Sequence, residues 1–304
     1  MKNIETRKDH TYKVIFFGSE SAGLRCLKFL IKQNNIKISF LITNEKGISN
    51  KAFFKIAREN NICIISKVEL LEKINQSIII RNQIDFILSV FSPFIVDDLI
   101  LNHTKYGGYN LHPGRLPEYA GLNPTSWSIY NNEKYHEVTL HKMNNIIDGG
   151  EIVDSKRIEI SKEETAISLL IKSTNEGITL IKDFIMFLTQ DNIGNISTKK
   201  QDLKKRKYYT NANPLSQPID WNESINKIDR IFRSSYFGIK RSPWGFPKTL
   251  VDDQIVELKN YKFFKCQQNE SIGKVLYISG NLIEIAFKNG IIKAEIVNGD
   301  NIIE

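Results

Sequence analysis

The sequence predicts an α/β protein: a large domain built on a mostly parallel sheet, followed by a smaller, mostly-β C-terminal domain. Three observations lead there. Short apolar runs alternate with helical patterns through about the first 190 residues, which is the sequence form of a parallel sheet with crossover helices. Composition then shifts to a basic, afterwards Asn- and Pro-rich stretch at Lys199–Pro218. Beyond Asp220 only one helical pattern remains among short strand-like segments. The expected domains are 1–205, a linker at 206–219, and 220–304.

The first apolar run, Lys13–Phe17 (KVIFF), reads as a strand, and a Gly-Ser turn leads into a helical pattern through Gln33. A second strand is expected at Ile36–Ile42, then the loop NEKGISN and a helix from Lys51. Ile62–Ile65, Asp85–Val90 and Tyr109–His112 read as further strands, with helices near Glu69–Arg81 and Ile95–Leu101. Glu137–Met143 alternates as a strand should, and Glu151–Ile160 follows it. Ser161 and Glu164 have capping-box spacing ahead of a helix running to about Gln190. The last helix is expected at Ser224–Ser234, with strands through Ile303.

The composition, 41% hydrophobic and 25% charged, is that of a globular protein. No apolar run reaches the roughly 18–20 residues that span a bilayer, and the opening MKNIETRKDHTYK lacks the apolar segment of a secretion signal. Cys26, Cys63 and Cys266 are odd in number and far apart, which argues against a disulfide framework and a zinc site. The expectation is a cytoplasmic protein with no membrane partner and no metal. The net charge of +8 suits an anionic partner, although runs such as KKQDLKKRK (Lys199–Lys207) read as solvated surface.

The first turn, GSESAG (Gly18–Gly23), gives the domain a Rossmann-like start, but Glu20 stands where a dinucleotide-binding loop has its second glycine. The chemistry is expected elsewhere, in YGGYNLHPGRLPEYAGLNPTSW (Tyr106–Trp127). Asn110 and His112, two apart on a strand, project to one face at its carboxyl end, with Leu111 turned to the core. Pro113, Gly114, Pro117, Gly121 and Pro124 stiffen the loop that follows. In HKMNNIIDGGEIV (His141–Val153), Asp148 lies in a turn from which it could return to His112. An Asn, a His and an Asp form a compact acyl-transfer site in which the amide and a protonated imidazole stabilise an oxyanion. A carboxylate beside the histidine orients its ring and favours its charged form. Singly, an Asn-x-His is more often a satisfied polar pair and an Asp-Gly-Gly a plain turn; it is their combination with HPGRLPEYAGLNP that is hard to explain as scaffold.

NLHPGRLPEYAGLNP followed by VTLHKMNNIIDGGEIV resembles the folate-dependent formyltransferases, over about Lys13–Gln201. Within that family the resemblance is greatest to the nucleotide-sugar N-formyltransferases and more distant to methionyl-tRNA formyltransferase. It implies that Asn110, His112 and Asp148 are catalytic and that N10-formyltetrahydrofolate is the formyl donor. It also implies that Phe94, Ile95, Val96, Leu116, Pro117, Asn144, Asn145, Ile146 and Ile147 enclose the folate. Leu122 stands where some sugar enzymes have an arginine, and Arg115 is a candidate substitute.

The tRNA enzyme carries a long basic insertion after its second strand, whereas here that connection is only Asn44–Asn50. Binding RNA needs several phosphate contacts, so no nucleic-acid partner is expected. The resemblance favours a dTDP-linked amino-dideoxy sugar such as dTDP-4-amino-4,6-dideoxyglucose, formylated for O-antigen synthesis by a homodimer. Lys240 and Arg241 are candidates for its phosphates and Trp244 or Phe246 for its base, with domain packing as the competing role. Arg115 and Tyr119 are candidates for the substrate pocket; Trp127 reads as core.

Overall fold

The computed structural model describes residues 10–43, 48–66, 69, 72–190, 193–238, 240–267 and 269–297. The chain divides into two compact units. The first is Met1–Gly121, Glu137–Ile158 and Lys172–Tyr208; the second is Leu122–His136, Glu159–Ile171 and Tyr209–Glu304. The last crossing falls inside the segment read as a linker, whereas the two earlier excursions have no counterpart in the sequence reading.

In the first unit the elements are β1 (Tyr12–Gly18), α1 (Glu20–Leu30), β2 (Ile36–Thr43), α2 (Ile48–Glu59), β3 (Cys63–Ser66), α3 (Lys73–Arg81), β4 (Phe86–Val90), α4 (Asp98–Asn102) and β5 (Gly108–His112). A two-residue strand β6 (Ala120–Gly121) follows, and α5 (Pro124–Tyr130) belongs to the second unit. Then come β7 (Tyr135–Lys142), β8 (Ile152–Glu159), α6 (Ala166–Gln190) and the short β9 (Tyr208–Tyr209), which pairs with β6. Seven strands form one sheet in the order β3-β2-β1-β4-β5-β7-β8. β1 to β5 run parallel, and β7 is antiparallel to β5.

Both faces of this sheet are buried, and the two-residue period sorts its side chains. Val14, Phe16, Phe86, Leu88, Tyr109, Leu111, Val138 and Leu140 enter one apolar cluster with Ile181 and Phe184 of α6. Ile15, Phe17, Phe40, Ile42 and Ile87 enter a second cluster. Such doubly covered strands are the reason the first strands read as continuous apolar runs. Gly177 lets α6 approach: a Cβ there would come within 2.9 Å of Leu111.

The first turn is a tight strand-to-helix connection. Glu20 has φ 53°, and a Cβ on Gly23 would lie 2.8 Å from the Gly18 backbone, so these glycines serve close strand–helix packing. Two helix starts differ from expectation. α4 begins at Asp98, capped by Asp97, which accepts from the Leu99 N–H at 2.7 Å; Ile95 and Val96 are therefore in a loop. α6 begins at Ala166, with the Thr165 hydroxyl accepting from the Ser168 N–H. Ser161 and Glu164 form a preceding turn, and the buried Glu164 carboxylate accepts from the Ser168 hydroxyl at 2.5 Å. The loop residues Asn44–Gly47 and the expected strand end at Ile303 lie outside the described residues.

The second unit carries α7 (Ile225–Ser234), started by a Ser224 cap, and the strands β10 (Lys248–Val251), β11 (Gln254–Lys265), β12 (Val275–Ser279), β13 (Leu282–Phe287) and β14 (Gly290–Ile296). They make an antiparallel sheet in the order β10-β11-β14-β13-β12. Its core joins Ile228 and Phe232 of α7 to Leu258, Ile283, Ile285 and Ile292, with Trp244 among them. Trp127 and Tyr130 of α5 pack against this same core.

Candidate active site

Tyr109 and Leu111 point into the α6 side of the sheet, so alternation turns Asn110 and His112 to the opposite face. On β7, Val138 and Leu140 do the same, which turns Thr139 and His141 the other way. The antiparallel register sets Asn110 opposite His141 and His112 opposite Thr139. Directly opposite residues share a face. Four polar side chains are thus brought together at the carboxyl end of β5, beside the loop that follows β4.

Asp148 reaches this group from the β7–β8 turn. It takes φ 55°, and the two glycines after it are there for space. A Cβ on Gly150 would stand 1.8 Å from the Lys142 carbonyl oxygen, where β8 returns to β7. One carboxylate oxygen, Oδ2, accepts from the Gly121 N–H at 2.8 Å and faces Nδ1 of His112 at 3.6 Å. The other, Oδ1, accepts from the Asn110 amide at 3.3 Å and lies 3.4 Å from Nε2 of His141.

The ring nitrogens can be assigned from their partners, since a carbonyl only accepts. Nε2 of His112 donates to the Tyr119 carbonyl at 2.7 Å. In the neutral ring, Nδ1 is then the lone-pair nitrogen, and it is the one that faces Asp148. Nδ1 of His141 donates to the Lys142 carbonyl at 2.7 Å, leaving Nε2 to accept from the Asn110 amide at 3.1 Å. The Pro/Gly loop is held to this framework as well: the Thr139 hydroxyl donates to the Gly114 carbonyl at 2.8 Å, and Lys207 exchanges hydrogen bonds with Pro117 and Ala120.

Burial decides the charge states. His112 is 4% exposed, and that burial pushes its pKa below the ordinary histidine value. The Asp148 carboxylate and the Tyr119 carbonyl pull it up without winning, and His141 pushes it further down. The resting ring is neutral. The carboxylate does favour the charged form, as expected, but at 3.6 Å it offsets only part of the cost of burying the charge. Burial also pushes Asp148 up, but attraction to the protonated form of His112, then contacts with His141 and the Gly121 N–H, hold its carboxyl well below the usual carboxylate range, so it is already ionised where His112 has lost its proton. The site therefore presents an ionised carboxylate, a neutral imidazole whose basic nitrogen faces it, and an amide donor.

The other residues singled out from sequence are distributed unevenly. Ile95 is 74% exposed; Asn144, Asn145, Ile146 and Ile147 are exposed and Val96 is half-buried. Phe94 is a core residue set edge-on to Phe17, and Leu116 and Pro117 are buried. The Tyr119 ring is buried too, beneath the Arg115 guanidinium, so its contribution to the site is its carbonyl. Trp244 is 3% exposed in the core of the second unit, set edge-on to Trp127, and has no face open to a base. Arg241 is exposed and pairs with Glu257 at 3.3 Å; Lys240 is exposed. A cavity of about 220 Å³ in the second unit is lined by Phe232, Tyr236, Phe246, Lys259 and Tyr261 among others, and contains none of the Asn110 group. Among the described residues no group of three His, Cys, Asp or Glu side chains could hold a metal, and no helix is long and apolar enough to cross a membrane.

Three members of this group were missed from sequence: His141, Thr139 and the Gly121 N–H. His141 lay inside a quoted motif, and its alternation with the buried Leu140 was the available signal. Only the β5–β7 register shows that it meets Asn110.

An Asn, a His and an Asp converging at the carboxyl edge of an α/β sheet, with no serine or cysteine nucleophile among them, define an enzyme of acyl transfer. The formyl transferase family matches residues 12–183, more than half of the chain, and the chain belongs to that family. It is a formyl-transfer enzyme. The chain is 27% identical over 289 residues to the methionyl-tRNA formyltransferase of Clostridium novyi (strain NT), covering 93% of this chain and 91% of that one. By fold it is similar to WlaRD, a sugar 3N-formyl transferase solved in the presence of dTDP and 5-N-formyl-THF, with TM-score 0.67 at 20% identity, over 95% of this chain and 99% of that one. An N-formyltransferase from Helicobacter canadensis, solved with folinic acid and dTDP-3-aminofucose, has TM-score 0.67 at 19% identity, over 94% and 100% of the two chains.

Proposed function

We propose that the enzyme transfers a formyl group from N10-formyltetrahydrofolate to the amine of a dTDP-linked amino-dideoxy sugar, with dTDP-4-amino-4,6-dideoxyglucose the first candidate. In this reading it works as a cytoplasmic homodimer in the synthesis of a surface polysaccharide. The observation that carries the choice of amine is the β2–α2 connection. Only four residues separate Thr43 from Ile48, too few for a basic arm that would neutralise several phosphates. Two structural neighbours matched over nearly their whole length, one a sugar 3N-formyl transferase solved with dTDP and the other solved with dTDP-3-aminofucose, support a nucleotide-sugar acceptor.

The folate has a fitting surface. Ile95, Val96 and Asn144 to Ile147 offer exposed apolar and amide side chains in the loop after β4 and in the turn that carries Asp148. Apolar groups left open to water at a strand's carboxyl edge suit a flat heteroaromatic ring. Phe94, Leu116 and Pro117 would back that surface from within. When bound, the donor supplies an electrophilic one-carbon carbonyl.

The remaining work falls to this chain. As the amine attacks, negative charge develops on the formyl oxygen, and the Asn110 amide is the donor placed to receive it, exchanging its contact with Asp148 or His141. The amine becomes cationic and must lose a proton. That proton ends on Nδ1 of His112, where the resulting imidazolium lies between the Tyr119 carbonyl and the Asp148 carboxylate. It is then available to the departing amine nitrogen of the folate. A charge too costly to bury at rest is thus accepted during turnover.

The test is a panel of dTDP- and UDP-linked 3- and 4-amino sugars assayed with N10-formyltetrahydrofolate, with formamide products identified by mass. Turnover of a dTDP-amino sugar supports the reading. The curated relatives give a second reading, and formylation of charged initiator tRNA with no turnover of any amino sugar would put it first.

A further inference from the structure

Thr198–Gln201 runs along β8 and holds the Asp148 turn by its backbone. Ile152 and Lys199 exchange two N–H···O bonds of 2.8 Å, and the Thr198 hydroxyl donates to Glu151 at 2.6 Å. This fixes the strap against the first residues of β8. From it the Gln201 side chain crosses the turn, donating through Nε2 to the Asp148 carbonyl at 2.9 Å and to the Gly150 carbonyl at 2.6 Å. Two carbonyls converge on one nitrogen, so the amide orientation is settled by chemistry: the flipped amide would set oxygen against oxygen twice. The consequence is that Oε1 is buried with no hydrogen-bond partner. A buried acceptor left unmade is costly, and sites that keep such a cost are those where the rest of the group is needed. A second side chain acts on the same turn, since Arg206 donates to the Ile147 carbonyl at 2.8 Å.

We infer that Gln201 is a positioning residue for formyl transfer: its amide pins both carbonyls that flank Gly149, and so fixes where the Asp148 carboxylate stands relative to Nδ1 of His112. The inference rests on the reading of Asp148 and His112 as the proton-handling pair. Within the turn the Gly149 N–H donates to the Ile146 carbonyl at 2.9 Å, but the turn's own residues give it little stiffness. Asp148 takes a left-handed backbone, Gly149 and Gly150 lack side chains, and residues 144–147 before it are exposed. The carboxylate contacts lie between 2.8 and 3.6 Å, so a displacement of about 1 Å in the turn removes several of them together.

The test compares Gln201→Met, which keeps length and volume but has no donor, with Thr198→Val, which removes one hydrogen bond of the strap while the Ile152–Lys199 pair and the Gln201 contacts stay in place. Two readouts separate positioning from mere stability: the kcat and KM of formyl transfer, and the midpoint of His112 Nδ1 protonation followed by 15N NMR in the protein without substrate. Expected for Gln201→Met is a fall of about 10²-fold in kcat, KM for both substrates within about threefold, and a His112 midpoint moved to lower pH. The midpoint moves down because Asp148 raises it and has been withdrawn; His141, the other titratable group facing the ring, is not displaced. Thr198→Val keeps wild-type kcat and midpoint. Wild-type values of both in Gln201→Met, with only a lower melting temperature, overturn the inference. Should Gln201→Met not fold, Gln201→Asn retains the donors one methylene short; it is expected to lower kcat at least tenfold, and wild-type kcat and midpoint there overturn the inference equally. If the native enzyme formylates no amino sugar, the reading of its substrate fails, while the His112 midpoint still decides the role of Gln201.

Discussion

Replacing Asp148 by asparagine keeps the shape of the side chain and removes its charge, which isolates what the carboxylate does. In the native enzyme Oδ2 stands 3.6 Å from Nδ1 of His112, the nitrogen proposed to take the proton during turnover. Two unit charges at that separation attract by about 4–5 kcal/mol at an effective dielectric of roughly 20. Part of this is lost because the transition state carries less than a full charge, so a penalty of about 3–4 kcal/mol is the working figure, or about 10²–10³-fold in kcat. The Gly121 N–H can still be satisfied by the asparagine oxygen, and residues 95, 96 and 144–147, proposed to face the folate, are unchanged, so KM for donor and acceptor should move less than threefold. The assay is steady-state release of tetrahydrofolate with saturating dTDP-amino sugar, in parallel with thermal unfolding to show that the variant is folded. A folded Asp148→Asn enzyme with kcat within tenfold of the native value would refute the assignment of the proton to the His112–Asp148 pair.

Three further outcomes are expected. The rate kcat/KM should fall on the acid side with a midpoint below the ordinary histidine value, because burial lowers the pKa of His112 and only the neutral ring accepts the proton; a pH–rate profile with its limb above about 6.5 contradicts this. The same group gives a stability contribution fully present above about 6.5 and lost as pH falls through its folded value, which urea unfolding at several pH values reads directly. Gly150→Ala should lower stability by about 3 kcal/mol and kcat by about 10²-fold, since its Cβ would meet a backbone oxygen at 1.8 Å; Gly149→Ala, whose nearest obstacle is the Ile146 side chain, should cost less, and the reverse order in unfolding and rate measurements would be wrong for this turn. Trp244→Ala should destabilise by about 3–5 kcal/mol while leaving KM for the nucleotide sugar unchanged, and a large KM effect without loss of stability would restore it to the substrate site.

The parallel sheet was legible because its strands are buried on both faces: KVIFF and its successors leave no alternative to a strand between helices. The Asn110–His112 pair was legible for the same geometric reason, since a two-residue spacing at a strand end fixes a common face without any knowledge of partners. His141 and Gln201 were not, because their roles depend on an antiparallel register and on a strap returning some 50 residues later. The carboxylate's pull on His112 was legible in the motif, whereas the burial that outweighs it was not. Trp244 was left between a stacking role beside Lys240 and Arg241 and domain packing or a dimer contact for a similar reason: an aromatic near cations reads the same whether it faces solvent or the interior.

The way the chain is shared between its two units bears on how the protein can be altered. Residues 122–136 and 159–171 belong to the second unit although both precede the segment that looks like a boundary. Cutting the gene after residue 205 would not deliver an autonomous catalytic half. It would strand α5, with Trp127 and Tyr130, deprived of the core made by Trp244, Phe232 and Ile283. Exchange of acceptor specificity with a relative by grafting tails meets the same obstacle, and a functional chimera has to carry all three segments together. The tail and the loop after Gly121 are therefore bound to change as one hereditary unit.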